Sequence, residues 1–389
     1  MPDAVVTGVG VVSPLGSGLE RITRRFAAGE PAPLCEGGMI ADDIPLELVP
    51  ADKRQRLGRL DRLSRLFLSA SYLAVDDAEL SPERLDSERF GLSFGTGLGC
   101  LLTNEEYYRR IVEKGLAAAS PQLFAYTVSS AAAGEISIAL GIRGPNVTNH
   151  VGLAAGAGAL GYAADWIRAG KADVVLAGGA DVIGPALVEA LRDMELLKAP
   201  EQARPFADAV PGLCPAEAAV VFLLESDEHA RRRGARARAR LAGWAAGFEP
   251  TLTRRPPARL GITAALRRAL DDAEIRPQDI ATVFCSAHGT PLDEVECGAL
   301  RDVFLEHCPA LLAPKALHGE CFGAGGALAA ALAVGLWTFC PEPQRAPLFD
   351  LQGAPLPPGA GPRPEERGAA LISSLCYSGN CVGLVLAPL

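Results

Sequence analysis

Short apolar segments rich in β-branched residues alternate along this chain with longer Ala- and Leu-rich segments of helical period. The predicted strands are Ala4–Val12, Phe90–Gly95, Val174–Ala177, Val220–Leu224, Val283–Ser286 and Val382–Leu386. The predicted helices include Arg62–Asp76, Ala154–Ala169 and Gly326–Trp337. Strands that alternate with helices are typical of an α/β protein, so the pattern predicts this fold class.

A charge-dense segment, Ser226–Arg240, divides the pattern in two, and an apolar run, Leu241–Phe248, opens the second part. We therefore predict an N-terminal half over residues 1–228, a basic connecting segment over 229–240 and a C-terminal half over 241–389. Two interpretations of the basic run are open. It is either a docking patch for an acidic partner or a solvated helix that leads into a strand, which is the commoner use of such runs.

The two halves share one feature, a Gly/Ala-rich turn that runs into a helix. These turns read GLAAGAGALGYA from Gly152 and GECFGAGGALAA from Gly319. A repeat of this kind indicates a duplicated α/β unit.

Composition and charge argue against two classes of protein. The 389 residues carry a net charge of −9, whereas a nucleic-acid-binding protein presents a basic face. We find no apolar run, uninterrupted by charge, that is long enough to cross a membrane, so no span is expected. The start, MPDAVVTGVGVV, lacks the basic region of a signal peptide and reads as a first strand. A cytoplasmic location is expected.

Ten cysteines are present and none forms a CxxC pair. A chain of this size does not need disulfide bonds to fold, so we expect reduced thiols, mostly buried as small apolar groups. We predict no metal site and no cofactor.

Several segments in order resemble the β-ketoacyl synthases of fatty acid and polyketide assembly. The start VVTGVGVVSPLG is similar to the family's opening strand and turn, RLDRLSRLFLSASYLAVDDAEL to its first long helix, and SFGTGLG to its Gly-rich turn. ISIALGIRGPNVT is similar to the strand region that pairs across the family's dimer, and ADVVLAGGAD, ARPFAD, AHGT and PKALHGECFGAGG follow in the family's order. The resemblance runs from Val5 to Leu386. It implies a thiolase-like fold, normally dimeric, with two similar halves in a layered αβαβα arrangement.

Condensation in this family needs a cysteine thiolate that takes the acyl chain from a carrier protein. That cysteine lies at a helix N-terminus, where the helix dipole and the free N–H groups lower its pKa. In the stretch that begins GPNVT, the residue at the nucleophile position is Leu153. Leucine has neither a lone pair nor a proton to give, and it cannot mimic the glutamine that some members carry here. The resemblance therefore implies no acyl transfer at this position.

Two histidines of the family promote decarboxylation of the malonyl extender and stabilise the resulting enolate oxygen. The segment CSAHGT is similar to the motif of the first histidine and gives His288, and Asp293 and Glu296 keep the family's spacing after it. His288 is either a relic held by backbone hydrogen bonds or a residue that keeps a role, and both interpretations are open.

At the second histidine, the family pattern K-x-x-x-G-H reads Lys315 to Glu320. A carboxylate at Glu320 would repel the negative charge of a forming enolate and raise the barrier. His318, two positions earlier, could substitute only through a shift of register. We expect Lys315 to pair with Glu320 as a structural salt bridge.

Two loops of the family are altered. The pattern RPFDxxRDGFVxGEGA reads RPFADAVPGLCPAEAA, which keeps Phe206 and Glu217 but has Val210 and Pro211 in place of an Arg-Asp pair. The gate GFGGTN reads CYSGNC, with Tyr377 at the position of the gating phenylalanine. Because gate glycines permit backbone swings, their loss predicts a gate that no longer moves. Phe206 and Tyr377 are the candidate gate residues.

A ketosynthase-like chain that lacks the cysteine, one histidine and the mobile gate resembles the chain-length factors of the family. Such subunits pair with an active ketosynthase as a heterodimer, close its acyl tunnel and set the length of the product. The resemblance implies no condensing activity for this chain alone, and contact with acyl carrier protein through the partner. The short chain favours the pairs that build aryl polyenes over the aromatic polyketide systems.

The candidates for the tunnel wall come from the dimer-facing stretch PQLFAYTVSSAAAGEIS and are Leu123, Phe124 and Tyr126. Their alternative role is ordinary interface packing.

Three other interpretations stay open. Cys321 and Cys376 fall near the former site, so a relocated nucleophile for other acyl chemistry is one, although neither is predicted to lie at a helix start placed like Leu153. A pure scaffold or carrier-docking module is the second. A homodimer in place of a heterodimer is the third.

Overall fold

The structure is a computed structural model of the chain. It describes residues 2–34, 38–41, 49, 51, 54–198, 204–206, 212–250, 259–305, 307–340, 345–357, 360 and 368–389. Cys35, Val210 and Pro211 lie outside the described residues.

Twelve strands form one sheet in the described part of the chain. They are β1 (Ala4–Ser13), β2 (Gly16–Ser17), β3 (Phe90–Gly95), β4 (Asn146–Asn149), β5 (Val174–Asp181), β6 (Ala218–Ser226), β7 (Ala239–Phe248), β8 (Ile280–Phe284), β9 (Ala310–Leu312), β10 (Leu348–Phe349), β11 (Ala369–Leu375) and β12 (Asn380–Pro388).

The helices of the described residues surround and separate these strands. They are α1 (Leu19–Ala27), α2 (Arg54–Leu57), α3 (Arg62–Asp77), α4 (Leu101–Lys114), α5 (Pro121–Phe124), α6 (Ala131–Leu140), α7 (Ala155–Arg168), α8 (Pro185–Asp193), α9 (Asp227–Arg233), α10 (Leu260–Ala273), α11 (Leu292–Phe304), α12 (Lys315–His318) and α13 (Gly325–Phe339). Short 3-10 turns at Gly152–Ala154 and Phe322–Ala324 lead into α7 and α13.

The strands run in the order β10-β9-β8-β11-β12-β7-β1-β6-β5-β3-β4, with β2 paired to β1. β7 and β1 join the strands of the C-terminal half to those of the N-terminal half, through antiparallel pairing of Ala4–Val6 with 239–241. β4 stands at one end of this order and pairs only with β3 among the described strands.

Three apolar clusters define the layers. α7 and α13 pack against strands of both halves in a central cluster, whose members include Leu160 and Leu328. α3 and α6 cover the other face of the N-terminal strands, and α10 and α11 cover the other face of the C-terminal strands. The resulting order of layers is αβαβα, as the resemblance implied.

The Gly-rich turns allow backbone to meet backbone at the centre of the molecule. A β-carbon on Gly179 of β5 would lie 2.6 Å from the carbonyl oxygen of Gly323, and one on Gly156 of α7 would lie 2.5 Å from the same oxygen. Neither position has room for a side chain. The repeated turns seen in the sequence are therefore required by this close packing.

The predicted strands and helices are confirmed, with bounds that differ by a few residues. One assignment was wrong: the segment ISIAL, taken as part of a strand region, lies in helix α6, and only Asn146–Asn149 forms the strand. α6 is Ala-rich and ends at Gly141, which adopts the left-handed conformation that commonly terminates a helix. Local helix propensity and this C-cap outweigh the two isoleucines.

The expectation about membrane spans was also wrong in one respect. The stretch Phe322–Phe339 is long and apolar enough to cross a membrane by length and composition. In the structure 83% of it is buried inside the protein, because α13 lies between the two sets of strands. Its hydrophobicity is explained by burial on all sides.

The basic connecting segment forms α9 and the entry to β7, so the interpretation as a helix that leads into a strand is confirmed. Glu225, at the end of β6, is fully buried. It accepts hydrogen bonds from Arg233 (2.5 and 2.8 Å) and Thr7 (2.5 Å) and contacts His229 at 2.5 Å. Burial acts to raise the pKa of Glu225, but these partners outweigh it and hold the pKa at about 2.

Glu225→Gln is expected to lower the free energy of unfolding by about 3 kcal/mol, because Arg233 keeps its charge beside a buried neutral amide. Chemical denaturation at pH 7, followed by circular dichroism, measures the loss. Glu20→Gln, which breaks the exposed pair of Glu20 with Arg24, is the matched control and should cost less than about 0.5 kcal/mol. Equal losses in the two variants would contradict the prediction.

The low pKa of Glu225 predicts that the free energy of unfolding depends on pH. Its folded-state pKa of about 2 lies below the ordinary value of 4.5, so its stabilisation is present above pH 4.5 and is lost as the pH falls toward 2. The Glu225→Gln variant should lack this part of the acid transition.

Candidate functional site

Four segments meet where the two halves join. The turn Gly152–Ala154 and the turn Phe322–Ala324 lie against each other in the centre. The segment after β8 carries His288, and the loop between β11 and β12 carries Tyr377. The fold thus brings together the positions that the resemblance marks as the catalytic site.

Leu153 lies in the turn at the head of α7 and is 9% exposed. It packs in a small apolar cluster with Ile183, Phe322 and Cys376. A hydrocarbon side chain therefore stands where the family resemblance requires a thiolate.

Cys376 falls near the site, as expected, and it lies directly against this turn. A β-carbon on Gly152 would lie 2.4 Å from Sγ of Cys376, so the thiol packs directly against the backbone that begins the turn. The hydroxyl of Ser378 donates to this sulfur at 3.1 Å, and Nδ2 of Asn380 donates to the oxygen of Ser378 at 3.0 Å. Cys376 lies in the loop between β11 and β12 and not at a helix start, as expected, but its sulfur contacts the turn that leads into α7.

His288 is buried and both of its ring nitrogens have partners. Nδ1 lies 2.9 Å from the carbonyl oxygen of Ser286, and Nε2 lies 2.8 Å from the hydroxyl of Tyr377. Burial and the charge on Lys315 lower the pKa of His288, so the ring is neutral at pH 7. Nδ1–H then donates to the carbonyl, and Nε2 accepts from the Tyr377 hydroxyl. One backbone and one side-chain hydrogen bond hold the ring.

Glu320 occupies the position of the second histidine and is buried against a cation. Nζ of Lys315 lies 2.6 Å from Oε2 of Glu320, which confirms the predicted pair, and the N–H of Phe322 donates to Oε1 at 2.8 Å. Burial acts to raise the pKa of Glu320, but Lys315 outweighs it and holds the pKa below the usual value. Nε2 of His288 lies 3.6 Å from Oε2. The site therefore contains an ionised carboxylate where the family has a donor.

His318 does not take the place of the missing histidine. Its Nδ1 lies 2.8 Å from the carbonyl oxygen of Gly319 and 3.6 Å from Sγ of Cys321. Burial lowers the pKa of His318 to about 4, so the ring is neutral. Cys321 is completely buried, and burial and the charge on Glu320 raise the pKa of its thiol well above the usual value. Neither group is placed for chemistry on a substrate.

A buried carboxylate that the sequence did not single out holds the central segments together. Asp181, at the end of β5, accepts hydrogen bonds from Thr96 Oγ1 (2.5 Å) and from the N–H of Gly323 (2.6 Å). It also accepts from the N–H of Gly97 (2.7 Å) and of Leu98 (2.9 Å). Burial raises the pKa of Asp181 to about 6, against the effect of these donors. The sequence feature that could have identified Asp181 is its position as the acidic last residue of the otherwise apolar strand β5.

Asp293 and Glu296 are buried supports of the His288 segment. Asp293 accepts from the N–H of Phe206 (2.9 Å), Gly289 (2.9 Å) and His288 (3.2 Å). Glu296 accepts from a backbone N–H and a serine hydroxyl, and burial raises its pKa to about 7. Among the residues that the structure describes, no group of His, Cys, Asp and Glu is arranged to hold a metal ion.

The residues kept in the altered loop have structural partners. Glu217 is buried, pairs with the guanidinium of Arg62 at 2.5 to 3.1 Å and accepts from the N–H of Ile183 at 3.3 Å. Phe206 packs on Phe349, with ring centroids 5.0 Å apart. Both residues therefore make contacts that stabilise the segments around the site.

The loop that the resemblance marks as a gate is a tight turn that reaches the site. Tyr377 is 43% exposed, although its hydroxyl contacts the buried His288. The N–H of Gly379 donates to the carbonyl of Cys376 at 2.9 Å and closes the turn. Burial and the charge on Glu320 raise the pKa of Tyr377, so its hydroxyl stays protonated and can donate.

The candidates for the tunnel wall lie on another part of the surface, beside α4. Phe124 is 62% exposed, and its ring centroid is 5.9 Å from that of Tyr107. Leu123 is half-buried. Tyr126 donates to Glu135 at 3.1 Å and packs against the N-terminal core. Phe124 is thus the most outward of the three candidates.

α4 carries exposed apolar residues that were not foreseen from the sequence. Leu101, Tyr108 and Val112 are spaced so that they share one face, and Val112 is 84% exposed. Contiguous exposed apolar groups of this kind mark an interaction surface.

Comparison with known proteins places these observations in one family. The family model described as "Beta-ketoacyl synthase, N-terminal domain" matches residues 37–230, and "Beta-ketoacyl synthase, C-terminal domain" matches residues 238–336. Nodulation protein E of Rhizobium leguminosarum bv. trifolii is 36% identical over 342 residues, which cover 83% of each chain. The mitochondrial 3-oxoacyl-[acyl-carrier-protein] synthase of Arabidopsis thaliana is 32% identical over 376 residues and covers 85% of this chain and 80% of its own.

A solved structure titled "The ishigamide ketosynthase/chain length factor" matches over 100% of this chain and 99% of its own, with a TM-score of 0.86 and 27% identity. Its fold is the thiolase-like αβαβα arrangement described above.

Lys315→Met is expected to lower the free energy of unfolding by about 3–5 kcal/mol, because it leaves the buried Glu320 carboxylate without its cation. The double variant Lys315→Met/Glu320→Gln removes both charges and should recover much of the loss. Denaturant titration of the three proteins at pH 7 measures both effects. A double variant no more stable than the single one would show that the pair is not coupled.

Proposed function

The chain belongs to the β-ketoacyl synthase family, and we propose that within it this chain is a non-catalytic subunit, a chain-length factor. In this role it pairs with an active β-ketoacyl-acyl-carrier-protein synthase and shapes the acyl tunnel of that partner. The observation that carries the proposal is Leu153, which fills the helix start where the nucleophile of a condensing enzyme must lie.

The electrostatics of the site support the same conclusion. Condensation creates a negative charge on an enolate oxygen, which hydrogen-bond donors must stabilise. Here Glu320 is ionised and bound to Lys315, so it repels such a charge. His288 is neutral, and its free lone pair already accepts from Tyr377, so it has no proton to offer toward the centre. The two family residues that remain, His288 and Lys315, thus have their hydrogen-bond partners inside the protein: His288 contacts Ser286 and Tyr377, and Lys315 contacts Glu320.

The surface around α4 supports a partner subunit. The exposed apolar residues Tyr108, Val112, Leu116 and Phe124 lie on α4, directly after it and on α5. Burial of a side chain of this size is worth about 1.5–3 kcal/mol, so covering this surface would favour a stable complex. The partner we propose is an active ketosynthase. The structural match titled as a ketosynthase/chain length factor is consistent with this choice.

The pathway class follows from the family. The relatives include a synthase named for acyl carrier protein, and the structural match is titled as a ketosynthase/chain length factor. We therefore propose a role in fatty-acid-type or polyketide chain assembly, with the conjugated chains of aryl polyene systems as the favoured product class. Carrier protein would meet the complex through the active partner.

The direct test is an elongation assay with this chain, an active ketosynthase that co-purifies with it, carrier protein and a malonyl thioester. Each chain alone is expected to be inactive and the pair active, and loss of the partner's cysteine should abolish the activity. Within the active pair, Phe124→Ala should lengthen the products, since it removes a ring from the tunnel wall. Mass spectrometry of carrier-bound chains reads the length.

Leu260→Ala, which shortens an exposed leucine at the start of α10, is the matched control and should leave product length unchanged. An active pair whose products are the same with Phe124→Ala would instead favour the pure scaffold or carrier-docking role. Elongation by this chain alone would overturn the proposal.

The position of Cys376 favours a second candidate, an acyltransferase that uses a relocated nucleophile. In that reaction the Cys376 sulfur attacks a thioester carbonyl, the acyl carbon forms a bond to Sγ, and the carrier sulfur leaves with the thiol proton. Contact with Gly152 puts the sulfur at the head of α7, and Ser378 donates to it. Its burial in the apolar cluster with Leu153 opposes this candidate.

We expect no stable acyl adduct on Cys376 when the chain is incubated with an acyl thioester. Intact-mass and peptide mass spectrometry test this, and reaction of the exposed Cys308 with iodoacetamide shows that the detection works. An adduct that appears in the wild-type chain and disappears in Cys376→Ala would establish the second candidate.

A further inference from the structure

Asp181 is a buried carboxylate whose hydrogen-bond partners are all uncharged. Its side chain is fully buried and accepts two hydrogen bonds on each oxygen. Oδ1 accepts from the hydroxyl of Thr96 and the N–H of Leu98. Oδ2 accepts from the N–H groups of Gly97 and Gly323. These four donors fill the acceptor positions of an ionised carboxylate.

The charged groups around Asp181 have partners of their own. On the side of β6, which pairs with the end of β5, Glu217 is bound to Arg62 at the start of α3. On the side of the turn before α13, Glu320 is bound to Lys315. Each of these cations is thus held by its own carboxylate.

Three thiols border the same centre: Cys321 just before the turn, Cys100 just after the loop, and Cys376 against the head of α7. Burial, followed by the charges on Glu320 and Asp181, raises the pKa of Cys321 well above the usual value. Cys100 donates to a backbone carbonyl, and Cys376 accepts from a serine hydroxyl. No titratable side chain lies on α13, on the first two turns of α7 or in the turn Gly152–Ala154. Neutral groups and paired carboxylates therefore surround Asp181.

A proton on Asp181 would give the carboxyl a donor of its own among neighbours that are mostly donors. Oδ2 faces two N–H groups, which cannot accept, so the proton must lie on Oδ1. There the hydroxyl of Thr96, 2.5 Å away, can turn round and accept. The N–H of Leu98 would then point at an oxygen that donates, and its hydrogen bond would weaken. Gly97 and Gly323 would keep their acceptor on Oδ2.

Leu98 is the residue of this loop that covers the position of Leu153. Its half-buried side chain packs against the apolar cluster that contains Leu153, Phe322 and Cys376. Its N–H, 2.9 Å from the carboxylate, holds the backbone that carries this side chain. Weakening that hydrogen bond therefore frees the loop where it covers the cluster.

We propose that Asp181 is a pH-sensitive latch. In its ionised form it holds the loop after β3 (residues 96–99) over the apolar cluster at Leu153, and when it gains a proton it releases that loop at Leu98. Burial raises the pKa of Asp181 to about 6, so the change is expected between about pH 5 and pH 7. The inference is independent of the proposed chain-length function, because it concerns contacts inside this chain.

The effect of Asp181 on the stability of the whole fold has the opposite sign. Its folded-state pKa of about 6 lies above the ordinary value of 3.8. Its contribution to the free energy of unfolding is therefore complete below pH 3.8 and is lost as the pH rises through 6. Acid thus releases the loop without weakening the fold through this group, which distinguishes the latch from the onset of acid unfolding.

Amide exchange in the full chain, followed by NMR after isotope labelling of leucine and glycine, tests the latch. Rates are corrected for the intrinsic pH dependence of exchange. The protection of the Leu98 amide should fall about fivefold between pH 7.5 and pH 5, the effect of losing one hydrogen bond. The Gly323 amide should keep its protection. Denaturant titration at both pH values shows whether the fold as a whole is retained.

Asp181→Asn is neutral at every pH, so the protection of its Leu98 amide should be the same at pH 7.5 and pH 5. Asp279→Asn removes an exposed carboxylate that pairs with Arg276, and as the matched control it should keep the wild-type change. A change that persists in Asp181→Asn would overturn the latch. Equal losses at Leu98 and Gly323, or no loss at Leu98 in the wild-type chain, would also overturn it.

The wild-type chain carries a second test should Asp181→Asn fail to fold. The NMR signal of the Asp181 carboxyl carbon reports its protonation directly. Its midpoint should coincide with that of the loss of protection at Leu98. Two separate midpoints would show that another group releases the loop.

Discussion

The rest of the structure depends on the close approach of backbone from the two halves at the centre of the molecule. Gly156 and Gly179 leave no room for side chains where they meet the turn at Gly323. Asp181 then binds that turn and the loop after β3 through hydrogen bonds, so both halves are tied at one carboxylate. None of these contacts involves a nucleophile. The scaffold is therefore independent of the residue at Leu153, and it can persist when the chemistry of the site changes.

The charges of the site are balanced without a catalytic role. A buried lysine without an anion would be costly, and Glu320 supplies that anion to Lys315 at 2.6 Å. The resemblance implies that catalytic members of the family carry a hydrogen-bond donor to the enolate at this position. His288 accepts from Tyr377, a residue of the former gate, so the hydrogen-bonding needs of both are met inside the protein. The Lys315–Glu320 pair and the His288–Tyr377 hydrogen bond thus satisfy these buried groups, and in the proposed non-catalytic role no enolate has to be bound.

Much of the fold was predictable from the sequence, and the exceptions have physical causes. The apolar segment Phe90–Gly95 was predicted as a strand to the residue. The Lys315–Glu320 pair was expected from the family pattern at these positions together with the opposite charges of the two side chains. The segment in α6 was assigned wrongly because the resemblance was taken to mark the whole stretch ISIALGIRGPNVT as a strand region. The alanines before it and Gly141 after it favour a helix and its end. The contact of Cys376 with Gly152 joins residues far apart in the chain, and no local pattern encodes it. The outward apolar face of α4 was missed because periodicity shows that a helix has an apolar face and does not show what covers it.

The carboxylate of Asp181 also connects the turn at Gly323 to the segment that leads to the proposed tunnel wall. Asp181 binds the N–H of Leu98, and two residues later Cys100 begins α4. The hydrogen bonds of Asp181 therefore fix where α4 starts. In the first turn of α4, the hydroxyl of Thr103 donates to the carboxylate of Asp61, just before α3, at 2.9 Å. A subunit that shapes a partner's tunnel through α4 and Phe124 needs that start held in place, whether or not it condenses anything. In the proposed role the hydrogen bonds of Asp181 therefore serve to position α4, and neither Leu153 nor Glu320 takes part in them.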